Sequence, residues 1–307
     1  MKQILQLTFL LNIFLVAQEN NTKASNDEIE VVIIKGNILY ADQVNALKTP
    51  VSVLDVPQSV SIVTDEDIRK QGFRELSDIV RYIPGVNTSQ GEGHRDAVVF
   101  RGVRSTADFY MDGVRDDVQY YRSLYNLEQV EVLRGPNALL FGRGGTGGII
   151  NRVTKKAVIG EEFGSVDVGT DTFGSLDLAY DYNVSSSDDS AFRINIHTDS
   201  LANHRDFYNG ERKGVNPTMK FIMSDDTTLD LSYEYIDHER FIDRGVPTIN
   251  GSPDESLTDI VFGTPETNTT TVEATILRGT LSHVFSETRK GNLTVHKSSF
   301  EKMYQNL

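Results

Sequence analysis

The chain has 307 residues, a net charge of −14 and no cysteine, with 38% hydrophobic and 24% charged residues. That balance is too apolar for a disordered chain and too polar for helical membrane spans, and the length suits two domains. The acidity argues against the basic patch that nucleic acid requires, and the missing thiols exclude disulfides, thiolate metal sites and thiol nucleophiles.

Met1-Lys2, the apolar run Ile4 to Val16, small Ala17 and polar Gln18-Glu19-Asn20 read as a secretory signal over residues 1–18. The run is too short for a membrane helix of about 20 residues; the alternative is a buried N-terminal helix. Residues 19–42 are expected to be disordered around one β-branched run, Ile29, Glu30, Val31, Val32, Ile33 and Ile34. That run is extended, either free to add to a partner's sheet edge or the first strand of the next domain.

Residues 43–157 read as a compact α+β domain. Ser59 to Val63 is a strand. Thr64 is an N-cap with Asp67 three residues later, and Gly72 ends the helix. Leu76, Ile79, Val80 and Ile83 predict a second helix over Arg74 to Tyr82, stopped by Pro84-Gly85. Ala97 to Phe100, Phe109 to Met111 before the Asp112-Gly113 turn, Val130 to Leu133 and Ile149 to Val153 are strands.

Residues 158–307 alternate with period two. Leu176, Leu178, Tyr180 and Tyr182 share one face, as do Phe192, Ile194 and Ile196, then Leu229, Leu231, Tyr233 and Tyr235, then Leu293 and Val295. A soluble sandwich would bury those faces; an outer-membrane barrel would turn them to lipid and line a wet lumen with the polar ones. The short turn at Ser185 to Ser190, the long polar stretches Ala202 to Pro217 and Ile236 to Thr271, and the charges on the inner face favour the barrel. The stretch holds roughly six to eight strands, too few for a plugged barrel. The expectation is an incomplete antiparallel transmembrane β-barrel, from a partial sequence or a truncated gene product.

No catalytic set appears. The six histidines are scattered, Asp225-Asp226 reads as a turn and His94 as a solvated loop residue. Gly142 to Gly147 satisfies G-x-G-x-x-G, but a helix-like segment precedes it and a β-branched run follows, the reverse of a dinucleotide site. Those glycines suit a tight turn packed against neighbouring backbone.

The stretch Asn126 to Lys156, NLEQVEVLRGPNALLFGRGGTGGIINRVTKK, resembles the closing segment of the plug domain of TonB-dependent outer-membrane receptors, and the LRGP–FGRGGTGG wording resembles the siderophore branch. Asp55 to Val60, Leu76 to Gly85, Phe100-Arg101-Gly102 and Tyr110 to Gly113 resemble earlier plug motifs in the same order. The resemblance implies a transporter rather than an enzyme: uptake of a ferric siderophore across the outer membrane, plug facing the periplasm, with TonB as partner and lipid around the barrel. It implies a TonB box at Ile29 to Ile34. It also implies a plug–barrel lock at Arg101 and Arg134, pairing with glutamates of strands beyond Leu307. Ligand contacts are expected from Arg95, Tyr120 and Tyr121, in the loops Ser89 to Asp96 and Asp116 to Arg122. Cobalamin or an oligosaccharide is an alternative cargo, and a soluble plug-only binding or signalling module an alternative role.

Overall fold

The computed structural model describes residues 43–47, 51–89, 92–116, 118–135, 141, 145, 147–205 and 207–306. The expected signal and the Ile29 to Ile34 run lie outside the described residues.

The N-terminal domain opens with β1 (Gln43–Val44), antiparallel to β2 (Val51–Ser52). β3 (Ser59–Thr64) leads into α1 (Asp65–Gln71). Thr64 Oγ1 accepts the Asp67 N–H while the Asp67 carboxylate accepts the Thr64 N–H, a reciprocal capping box. Gly72 closes the helix at φ 64°. α2 (Leu76–Val80) is shorter than the expected Arg74 to Tyr82. The Asp78 carboxylate accepts the N–H groups of Arg74 and Glu75, so those two residues cap the helix rather than extend it.

β4 (Val86–Thr88), β5 (Val98–Phe100) and β6 (Val103–Ser105) form a three-stranded sheet. β7 (Phe109–Met111), β8 (Val114–Arg115), β9 (Leu127–Arg134) and β10 (Gly148–Thr154) join β3 in the order β3-β9-β10-β7-β8, with β10 parallel to β7. Leu76, Ile79 and Val80 of α2 pack with Val98, Phe100, Val130, Val132 and Ile150 in one core. A second core gathers Val44, Ala46, Tyr110, Leu133 and Ile149. A Cβ on Gly147 or Gly148 would lie 2.7 or 2.6 Å from Phe100, so these glycines of the G-rich stretch serve packing.

The second part is one antiparallel sheet of seven long strands: β11 (Phe163–Thr170), β12 (Leu176–Ser187), β13 (Ser190–Leu201), β14 (Gly210–Ser224), β15 (Thr227–Phe241), then β18 (Thr269–Ser286) and β19 (Arg289–Gln305). A small hairpin, β16 (Thr248–Ile249) and β17 (Ser252–Pro253), sits in the long connection before β18. Register places Tyr180 beside Ile196, Met219 beside Leu231 and Tyr233 beside Leu277, so the apolar rows align across the strands.

That apolar face is the open one. Val168 is 68% exposed and Leu293 63%, whereas Asn183 and Asn195 on the opposite face are 0% exposed and Arg212 2%. A soluble sandwich would bury the apolar row; this wall is inside out, as a lipid-facing sheet requires.

The turns at Asp188-Asp189, Asp225-Asp226 and Glu287-Thr288 each have two residues. Connections at the other end are longer, up to residues 242–268 between β15 and β18. The strands reach further into that end than expected: β14 already starts at Gly210, β15 runs to Phe241 and β18 starts at Thr269.

Candidate functional site

The N-terminal domain lies against the charged face of the wall, and the seam is mostly polar. Tyr125, just before β9, stacks on His197 of β13 at 5.3 Å between ring centroids. It lies over Gly214, where a Cβ would come within 2.7 Å of the ring. Asn126 Nδ2 donates to Glu234 at 2.9 Å and to Asn216 at 3.2 Å. Lys155 pairs with Asp181 at 3.1 Å, and Arg193 with Glu128 at 3.7 Å. Glu75 pairs with Arg240 at 2.6 Å and lies 3.8 Å from Arg212, which also grips both oxygens of Asp199. Asp112 pairs with Arg278. Among the described residues, the apolar part of the seam is one cluster, Met111, Tyr120 and Val118 against Ile236, Val272, Ala274, Ile276 and Phe300.

Asp177, His197 and Asp199 bring three potential metal-ligating atoms within 4.8 Å of one another. Both oxygens of Asp199 already accept from Arg212, and a guanidinium beside the cluster opposes a cation. His197 bonds Asp177 at 3.1 Å, so the cluster reads as an ion-pair network.

The two loops expected to meet a ligand come together at the long-loop end of the wall. Arg122 organises the second of them. Its guanidinium donates to Asp116 Oδ2 at 2.9 Å, and to the carbonyls of Asp116 and Val118 at 2.8 and 2.7 Å. It also stacks 4.0 Å over Phe109. Arg152 from β10 reaches Asp116 at 2.6 Å and the Tyr120 hydroxyl at 3.2 Å. Burial raises the Asp116 carboxyl, but Arg122 and Arg152 outweigh it and hold it below the ordinary range. Burial pushes the Asp96 carboxyl up to about 6, against the pull of Arg122.

Tyr120 and Tyr121 do not stand on an open loop face. Tyr120 is fully buried, against Phe300, and Tyr121 lies under the Arg240 guanidinium at 3.9 Å. Flat amphipathic rings fill the seam here, and a guanidinium facing a ring suits burial beside charge. Burial raises both hydroxyls.

Arg95 pairs with Glu92 and donates to Gln119 at 3.3 Å. His94 is buried rather than solvated. It stacks with Tyr304 at 4.3 Å and accepts from Lys302 at 2.6 Å. Burial, then Lys302 and Arg95, bring its imidazole down to about 4, so the ring is neutral at pH 7. Lys302, Tyr304, Arg240 and Glu75 carry no motif that singles them out in sequence; only the fold gathers them.

Arg101 and Arg134 converge on one corner of the domain. The Arg101 N–H donates to the Gly85 carbonyl at 3.1 Å, and Arg134 Nη1 donates to the Pro84 carbonyl at 3.1 Å. Arg101 is exposed and sits at φ 48° in the tight turn between β5 and β6. A long side chain in that left-handed region is a strained choice where Asn or Gly would serve. Neither arginine pairs with an acid among the described residues.

Residues 52–149 match the TonB-dependent Receptor Plug Domain. The catecholate siderophore receptor Fiu of Escherichia coli (strain K12) is 31% identical over 247 residues, covering 76% of this chain and 31% of that protein. The probable TonB-dependent siderophore receptor PiuA of Acinetobacter baumannii is 31% identical over 233 residues, covering 74% of this chain and 30% of that protein. The crystal structure of PiuA aligns with a TM-score of 0.77 at 25% identity, over 84% of this chain and 38% of that chain. The open form of Fiu aligns with a TM-score of 0.76 at 23% identity, over 84% and 40%. The chain thus spans about a third of the length of the curated relatives it matches, 30% and 31%. A domain seated on the charged face of an inside-out sheet accords with that match, and the chain carries the plug domain of the TonB-dependent receptors.

Proposed function

We propose that the receptor containing this chain takes up ferric siderophores across the bacterial outer membrane, driven by TonB. The carrying observation is the wall: its open face is apolar and its charged face holds the plug. That geometry suits lipid outside and a plugged wet lumen inside. Relatives named as siderophore receptors support the cargo class. In this reading residues 1–18 direct export and residues 19–42 carry the TonB box, Ile29 to Ile34. Residues 43–157 form the plug, which faces the periplasm, and residues 158–307 belong to the barrel. Arg101 and Arg134 form the plug side of a lock with carboxylates of wall strands outside these seven. Their shared corner and the strain at Arg101 support that role. Substrate meets the long-loop end, where Arg95 offers a cation to an anionic chelate.

The test is uptake of radiolabelled iron by cells lacking their own siderophore receptors and carrying the complete reading frame. A panel of catecholate and hydroxamate chelates is offered, with and without TonB. TonB-dependent accumulation of at least one chelate is expected. No accumulation, together with growth on cobalamin or an oligosaccharide, reassigns the cargo.

A further inference from the structure

We infer that Glu131 is the clamp through which a pull on the N-terminal segment reaches the plug; this rests on the proposed function. Glu131 lies in the middle of β9 between Val130 and Val132, and is 0% exposed. A carboxylate at such a place is costly unless its charge is met. Among the described residues no cation meets it. Five N–H groups do: Asn45 N–H at 2.6 Å, Asn45 Nδ2 at 3.1 Å, Ala46 N–H at 2.8 Å, Gln129 Nε2 at 2.7 Å and Asn151 Nδ2 at 2.9 Å.

Three of those donors belong to Asn45 and Ala46, at the N-terminal edge of the plug. Among the described residues, the rest of the anchorage there is one Gln129 Nε2 bond to the Gln43 carbonyl at 3.1 Å, a short ladder and two core side chains. β1 and β2 are two residues each, and Val44 and Ala46 sit in the second core. Onward connections run into the plug. Asn151 Oδ1 accepts the Gly113 N–H at 2.9 Å, and neighbouring Asp112 pairs with Arg278 of the wall. One carboxylate therefore joins the N-terminal segment to β10, and through the Asp112-Gly113 turn to the wall. Stripping Asn45 and Ala46 away would remove three of its five donors at once and leave a buried anion undersatisfied. A load on the segment is thus passed to β9 and β10 rather than absorbed locally.

The chain has no cysteine, so with any cysteine elsewhere in the complete receptor replaced by serine, Ala46→Cys gives a single reporter thiol, and Ile79→Cys, buried in the other core, gives a control. Maleimide labelling is measured on the complete receptor, purified and in cells, with Glu131 or Glu131→Gln. Glutamine keeps the volume but turns one acceptor into a donor. We expect about tenfold faster labelling at Ala46→Cys in the Glu131→Gln background and no change at Ile79→Cys. In cells, labelling at Ala46→Cys should rise with TonB. An unchanged rate at Ala46→Cys, or an equal rise at Ile79→Cys, overturns the clamp. TonB-independent labelling in cells whose iron uptake is TonB-dependent overturns the coupling role while leaving the transport reading intact. Uptake that ignores TonB removes the transport reading itself, and the purified-receptor arm still decides the clamp.

Discussion

Gly214→Ala should unseat Tyr125. The added methyl would sit 2.7 Å from Tyr125 Cζ and 2.7 Å from its hydroxyl oxygen; ordinary contact begins at 3.4 Å, so the ring must retreat by 3.4 − 2.7 = 0.7 Å. Tyr125 borders a cavity of about 520 Å³, which gives the ring somewhere to go. Moving there forfeits the stack on His197, 12° from parallel, and the long 3.5 Å bond to Glu234. Aromatic pairing is worth about 0.5–1.5 kcal/mol and overpacking costs about 1–3 kcal/mol. Against this, alanine in a strand is better than glycine by about 0.5–1 kcal/mol. Because the cavity relieves part of the clash, the net loss should be about 1 kcal/mol of plug stability. Calorimetry of the complete receptor in detergent should place the plug transition about 4 °C lower. In a Tyr125→Ala background the same change should be neutral or stabilising. Equal penalties in both backgrounds, or a gain in the native one, would refute the argument.

Three further outcomes follow from the same geometry. Leu178→Arg, on the open face of β12, should cost about 2–4 kcal/mol in liposome unfolding titrations if that face meets hydrocarbon; a cost within about 0.5 kcal/mol would mean it meets water. Thr64→Ala removes the capping box of α1 and should lower plug stability by about 1 kcal/mol, read from the same calorimetric transition. The Asp96 carboxyl titrates near 6 in the folded plug and near 3.9 unfolded. As pH rises the unfolded chain loses that proton first, so this group erodes stability between about pH 4 and 6, by about 3 kcal/mol, and adds nothing further above. Asp116 acts oppositely, its contribution being lost as pH falls below about 4. Asp96→Asn should flatten the plug's pH dependence between 4 and 6, and an unaltered slope would count against the buried-acid account.

Sequence reasoning reached the elements whose signals are local. The Thr64–Asp67 box, the Gly72 stop and the Asp112-Gly113 turn, with φ 47° and 76°, are written in a few adjacent residues. Period-two rows located the wall strands because lipid-side packing demands them. The same rows misled at the long-loop ends. The first third of β14, Gly210 to Gly214, is polar on both faces, so alternation vanishes although the ladder continues. Strands that rise past the apolar band meet water on their outer side, and their residues look like loop. Arg101 and Arg134 were legible as motif residues, but their meeting at Pro84-Gly85 was not. Tyr120 and Tyr121 looked like apical loop aromatics; what covers them is Arg152, Arg240 and Phe300, each reaching across the fold, with Arg122 of the same loop stacked on Tyr120. Glu75 and Arg240 are separated by 165 positions, and no local pattern pairs them.

The distribution of apolar contact suggests where a load would part this structure. Among the described residues, plug strands and helices share two apolar cores, whereas the seam holds one small apolar cluster amid ion pairs and amide contacts. Desolvation offsets much of the attraction in a buried pair, so Glu75–Arg240 or Lys155–Asp181 fixes orientation more than it adds net stability. As such a seam opens, its charges regain water, and the opened surface carries little apolar area to be penalised. The plug's own cores offer no such recovery: separating Leu76 or Ile79 from Val130 exposes hydrocarbon from the first ångström. A pull from the N-terminal side therefore works against the two-residue β1–β2 ladder, the Glu131 clamp and the Val44–Ala46 edge of the second core before it works against the first core. Seam, clamp and the Val44–Ala46 edge are then the first contacts to yield, and the core of Leu76, Ile79 and Val130 stays closed while they do.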